Sequence, residues 1–122
     1  NIFLRGFLEN KNLINSFRSY DLFVSHPIEM DHIAEAFFMA NIEAMASGLP
    51  VVTTDCGGVP FVVKDRAIVC RQMSTEDIVK SIEKLITDKI LFNQMSVNGR
   101  KYIEDNFSHE HTIKKWKEVI DE

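Results

Sequence analysis

Two carboxylates, Glu35 and Glu43, are the side chains best placed to do chemistry in this sequence. Glu35 stands at the mouth of an expected helix. There it can accept hydrogen bonds from sugar hydroxyls or complement the positive end of the helix dipole. Glu43 lies between Ile42 and Ala44 in an otherwise apolar stretch, where a lone carboxylate is costly and needs a partner or a cleft. Two partners compete: a Lys or Arg at the core edge, or the vicinal hydroxyls of a ribose. The helix start between them would add unpaired N–H groups and roughly half an elementary charge, which can hold a diphosphate without basic side chains. No glycine-rich dinucleotide fingerprint and no Walker loop occurs, so such an anion site would rest on backbone donors.

Other reactive residue types carry weaker signals. The loop His26-Pro27-Ile28-Glu29-Met30-Asp31-His32 gathers two His and two carboxylates, but its spacing matches no familiar zinc pattern. No metal site is expected, and the loop is read as lining a ligand cleft. His109 and His111 sit at a helix start and read as surface residues. Cys56 beside Gly57 and Gly58 lacks a paired His for nucleophilic chemistry. Cys56 and Cys70 read instead as small core residues of a protein in a reducing, cytoplasmic compartment.

The elements that must position these residues alternate in type. Strands are expected at Asn1 to Arg5, Leu22 to Val24, Val51 to Thr54 and Ala67 to Cys70. Helical spacing marks Lys11 to Tyr20, Ala36 to Ser47 with Gly48 as its left-handed cap, a long pair over 74–105, and a last helix from Ser108. Ser74 with Asp77 three residues on resembles a capping box. The segment Phe61 to Val63 fits a helical turn or a short strand. Strands too apolar to have a wet face predict an α/β fold, a Rossmann-like parallel sheet flanked by helices. In such sheets ligands bind beyond the carboxyl ends of the strands, and the loop after Val24 leads there. The chain opens on a strand with nothing before it, so further strands and helices are expected upstream.

The 122 residues suit a single domain, here expected to be a truncated one. A formal charge of −4 argues against a general nucleic-acid binder, and Lys114, Lys115 and Lys117 read as a solvated helix face. No apolar run reaches membrane-spanning length and no signal-peptide layout appears. Peripheral membrane association would therefore fall to parts outside this chain.

The segment from Glu35 to Pro60 closely resembles the signature of GT-B-fold retaining glycosyltransferases of the glycogen-synthase-like and sucrose-synthase-like superfamily. The resemblance rests on two Glu eight positions apart, then Glu43-Ala-Met-Ala-Ser-Gly-Leu-Pro-Val-Val52, a short polar stretch and Gly57-Gly58-Val59-Pro60. It extends in weaker form to Phe3–Gly6, to Tyr20–Ser25 and to the helical pair over 74–105. It implies a C-terminal, donor-binding domain that takes a nucleotide-diphosphate sugar as substrate, needs no cofactor or tightly bound metal, and transfers the sugar to an acceptor with retention. Glu35 would then be the catalytic residue and touch the donor sugar. The backbone of Ala36, Phe37, Phe38 and Met39 would approach the sugar and diphosphate, and Glu43 would bind the ribose. The basic pair that clamps the diphosphate and the N-terminal acceptor domain would lie upstream, so the isolated chain is expected not to turn over substrate.

Three positions depart from the family pattern. Phe38 stands where the family has Gly, Phe61 where it carries Glu, and a Gly before Ala67 is missing. Phe38 and Phe61, with the upstream half expected outside this chain, favour a second reading, a catalytically inactive sugar-nucleotide-binding or assembly module of the same fold. A third, a flavodoxin-like receiver, would need an acidic cluster at its first strand end, which this sequence lacks.

Overall fold

Short apolar runs bounded by turn residues become the strands, and the strands are all parallel. The computed structural model describes residues 2–31 and 38–121. Its elements are α1 (Asn10–Phe17), β1 (Phe23–Val24), α2 (Met39–Ala46), β2 (Val51–Thr54), α3 (Val59–Val63), a 3-10 turn at Lys64–Arg66, β3 (Ile68–Cys70), α4 (Thr75–Thr87), α5 (Lys89–Phe107) and α6 (His109–Ile120). The sheet runs β1-β2-β3, with Phe23 opposite Val51 and Val52 opposite Ile68.

All four residues of β2 are buried. A central parallel strand covered on both faces has no solvent side, which is why Val51-Val52-Thr53-Thr54 shows no polar alternation. Successive side chains still point to opposite faces. Val51 joins one core cluster, with Phe17, Ile42, Met45, Val59, Val63 and Ile103. Val52 joins the other, with Cys70 and Leu85 and, packed against them, Ile78, Ile82 and Phe92. Helices α2 and α3 thus cover one face and α4 the other, while α5 contributes Ile103 to the first cluster and Phe92 to the second.

Helix ends follow their sequence signals. Gly48 takes φ 82 after the Ser47 C-cap, and the Gly48 and Leu49 N–H groups close onto the carbonyls of Met45 and Ala44. Ser74, Asp88 and Ser108 cap α4, α5 and α6, each accepting the N–H three residues on. The residues 61–63 resolve as helix. Pro60 sits at the start of α3, where its missing N–H costs no hydrogen bond.

One expected strand does not form. Residues 2–9 carry no secondary structure, and Ile2, Phe3, Leu4 and Phe7 are exposed. A strand exists only through its ladder, and neither β1 nor β3 pairs with this segment. Three strands are therefore present among the described residues, where four were expected. The helix after the polar loop begins at Met39, later than the expected start near Ala36, because Phe38 is its non-helical N-cap; Ala36 and Phe37 lie outside the described residues. No helix among the described residues is long and apolar enough to cross a membrane.

Candidate functional site

Three loops leave the carboxyl ends of the strands, and they are tied to one another. Beyond β1, the Ser25 N–H donates to the Val52 carbonyl at 3.0 Å. The Thr54 hydroxyl at the end of β2 donates to the Pro27 carbonyl. The Glu29 N–H donates to Gln72 Oε1 at 2.6 Å, so a side chain from the loop after β3 grips the loop after β1. Gln72 also binds the loop after β2: its N–H donates to Asp55 Oδ1 at 2.9 Å and its Nε2 to the Asp55 carbonyl at 3.3 Å. Among the described residues, each of the three loops is thereby tied to a neighbour at the carboxyl edge of the sheet.

Arg71, next to this clamp, forks onto the Asp77 carboxylate with Nε–Oδ2 2.7 Å and Nη2–Oδ1 2.9 Å. These hydrogen bonds hold the Asp77 carboxyl well below the usual carboxylate range and raise Arg71. The expected capping box is therefore half-formed. Ser74 accepts the Asp77 N–H, but the Asp77 carboxylate turns to Arg71.

Helix α2 enters this edge from its N-terminal side. Phe38, its N-cap, takes φ 26 and ψ 75, a positive φ that glycine adopts without cost and a bulky residue does not. Its ring packs against the core cluster of Phe17 and Ile42, and that contact offsets the strain. Phe38 thus occupies a conformation suited to the Gly of the family pattern. Met39 opens the helix and is exposed.

Glu43 is half-buried in the body of α2. Among the described residues no Lys, Arg or His pairs with its carboxylate. The core-edge salt bridge that sequence allows as the ordinary explanation is therefore not formed there. Glu35, Ala36, Phe37 and His32 lie outside the described residues. Of the expected site residues the structure places Met39 and Glu43 on one short helix and Phe38 at that helix's N-cap. His26, Glu29 and Asp31 are exposed on the loop, and no group of three metal-ligating side chains forms among the described residues. Phe61, in the place of the family Glu, is 83% exposed on α3.

Several contributors escaped sequence reasoning. Asn41 is buried in α2, flanked by residues read as uniformly apolar. Its Oδ1 accepts from Ser25 Oγ at 2.8 Å, its Nδ2 donates to Thr53 Oγ1 at 3.1 Å, and the two hydroxyl oxygens lie 2.9 Å apart. The one signal for it was an amide within an apolar helix, which has to find a partner when buried. Gln72 and Asp55 gave no signal, because their contacts join residues far apart in the chain.

The sheet is parallel and flanked by helices, and α2 carries a Glu43 unpaired among the described residues. Residues 1–102 match the model of the family described as glycosyl transferases group 1. The chain belongs to this family.

Relatives agree with that membership. The chain is 31% identical over 117 residues to YtcC of Bacillus subtilis (strain 168), provisionally named a glycosyltransferase; the match covers 93% of the chain and 28% of YtcC. It is 39% identical over 89 residues to an uncharacterized glycosyltransferase of Haemophilus influenzae, covering 70% of the chain and 25% of that protein. A 37% match over 76 residues links it to CapM of Staphylococcus aureus, a capsular polysaccharide biosynthesis glycosyltransferase, covering 61% of the chain and 20% of that protein. The chain thus spans about a quarter of the length of the first two. In fold it is similar to sucrose-phosphate synthase from Thermosynechococcus elongatus, a GT-B protein, with TM-score 0.62 and 22% identity over 71% of this chain and 22% of that one.

Proposed function

We propose that this group 1 glycosyltransferase chain is the donor-binding part of a longer enzyme. That enzyme transfers a sugar from a nucleotide-diphosphate sugar to an acceptor with retention of configuration. The observation that carries the reading is Glu43, a half-buried carboxylate with no ion-pair partner among the described residues, on a helix that starts at the ligand edge. Two vicinal ribose hydroxyls satisfy such a group with two charge-assisted hydrogen bonds. Glu35 binds hydroxyls of the donor sugar and is the catalytic carboxylate. The backbone N–H groups from Ala36 to Met39 and the positive end of α2 face the diphosphate. As the sugar leaves, charge develops on the diphosphate, and preorganised donors there stabilise it more than they stabilise the bound donor.

The 122 residues form one partial, C-terminal domain in this reading, and the acceptor site belongs to the rest of the polypeptide. The relatives' names support sugar transfer while differing in what is modified. They include a D-inositol 3-phosphate glycosyltransferase and an N-acetyl-alpha-D-glucosaminyl L-malate synthase. An inactive module of the same fold is the second reading, favoured by the exposed Phe61 in the place of a family Glu.

Calorimetric titration of the full-length polypeptide with UDP, GDP, ADP and their glucose, N-acetylglucosamine and mannose conjugates tests this. Replacing Glu43 by Ala removes a charged hydrogen-bond pair. It is expected to weaken binding of the preferred nucleotide by about 1.5–3 kcal/mol, roughly 10- to 150-fold. Wild-type affinity in Glu43→Ala would refute the ribose assignment. Donor binding without transfer to any acceptor would favour the inactive module.

A further inference from the structure

The ring of Ser25, Asn41 and Thr53 is a costly way to fill the space between a helix and a sheet. Asn41 and Thr53 are 1% and 0% exposed and Ser25 8%. Buried polar groups contribute little net stability even when paired, and apolar residues of the same shape often do as well. Each of its four side-chain polar atoms nonetheless has a partner within the ring. The single Ser25 proton goes to Asn41, so the Thr53 hydroxyl supplies the bond between the two oxygens, and Asn41 Nδ2 returns a proton to Thr53. Such a ring has one geometry, whereas apolar contacts tolerate sliding and rotation.

Its position says what that geometry fixes. Ser25 is the first residue beyond β1, Thr53 lies in the central strand, and Asn41 is the third residue of α2. The ring therefore ties the first turn of α2 to two adjacent strands at their carboxyl ends. Two residues of α-helix turn about 200°. With Asn41 held against the sheet, Glu43 is directed to the opposite side of the helix.

We infer that Asn41 is a positioning residue: through the Ser25–Asn41–Thr53 ring it sets the rotation of α2 and so aims the Glu43 carboxylate. The inference rests on the donor-binding reading above. The ring acts on binding without touching the donor, and its loss should separate affinity from stability.

Two variants of the full-length polypeptide make that separation visible. The triple variant Ser25→Ala, Asn41→Leu, Thr53→Val leaves no orphaned polar atom and keeps the volume nearly constant. It is expected to melt at or above the wild-type temperature and to bind the preferred probe of the nucleotide panel about tenfold more weakly, because a carboxylate misaligned by a fraction of an ångström loses its hydrogen bonds. Thr53→Ser keeps the hydroxyl but deletes a buried methyl, so it should melt lower and bind as the wild type does. This crossed pattern is what a purely structural ring cannot give. Unchanged affinity in the triple variant, or affinity that simply follows melting temperature across both, overturns the inference. Amide exchange read without ligand adds an arm that does not need the donor. Faster exchange over Met39–Glu43 in the triple variant is expected, and protection equal to wild type also overturns it. If no nucleotide in the panel binds even the wild type, it is the donor-binding reading that fails, and the exchange arm still decides the ring.

Discussion

Asp77 and Arg71 show how one ion pair couples a loop to a helix start. The carboxylate lies in the first turn of α4, where negative charge is also favoured by the helix dipole, and it accepts a bidentate fork from the residue that follows β3. Because the folded-state pKa is lowered, the pair stabilises the fold above the unfolded carboxylate pKa of about 3.9, and that part is lost as pH falls through the lower folded value. Wild-type stability should therefore drop as acid is added below about pH 4. Asp77→Asn should lack that portion of the slope and differ least from wild type at the lowest pH. Denaturant midpoints across that range check this, at low salt because Arg71 is exposed. Equal pH slopes in the two proteins would rule the pair out. Phe38 is a second case in which one side chain decides the outcome. Its positive φ is tolerated because the ring is packed on the core, so the strain and its compensation reside in one residue.

Helices α4, α5 and α6 follow one another with single-residue joints, and the residue at each start is a cap. Asp88 accepts the Leu91 N–H at 2.9 Å and Ser108 the His111 N–H at 3.2 Å. Chemically the two caps are alike, but the elements behind them are not. Helix α5 buries Gly99 and Ile103 and supports both core clusters, whereas α6 buries none of its residues. Asp88→Ala should lower global stability by about 1 kcal/mol, a usual cap loss. Ser108→Ala should leave the global midpoint within about 0.5 kcal/mol and appear instead as faster amide exchange through α6, which opens locally. Equal global losses would mean that α6 unfolds with the core.

Across the molecule, exposed apolar surface is unevenly distributed. Leu4 is 97% and Trp116 63% exposed, in two stretches that also present Ile2, Phe3, Phe7, Val119 and Ile120. Contiguous exposed apolar area favours association. The 122-residue chain by itself is expected to self-associate with rising concentration in sedimentation velocity. Phe7→Asp combined with Trp116→Glu should shift it toward monomer without loss of helical signal. A wild-type chain that stays monomeric across the range would show that these stretches are not adhesive.

Most of the framework was legible from residue types and their order. Apolar runs without alternation foretold buried parallel strands, Gly48, Ser74 and Ser108 foretold helix ends, and the Glu35 to Pro60 motif foretold the family. Those features are local: a residue's type limits its backbone, and a short period sets which faces are buried. The failures share the opposite property. Ile2 to Arg5 has the composition of a strand, yet pairing decides strands, and pairing is a relation between distant segments. Asn41, Ser25 and Thr53 each read as ordinary residues until the fold set them within hydrogen-bond reach. Gln72 became a clamp only because three loops converge at one sheet edge. For Glu43, sequence left a salt bridge and a ligand as rivals, and tertiary packing brings no cation to it among the described residues.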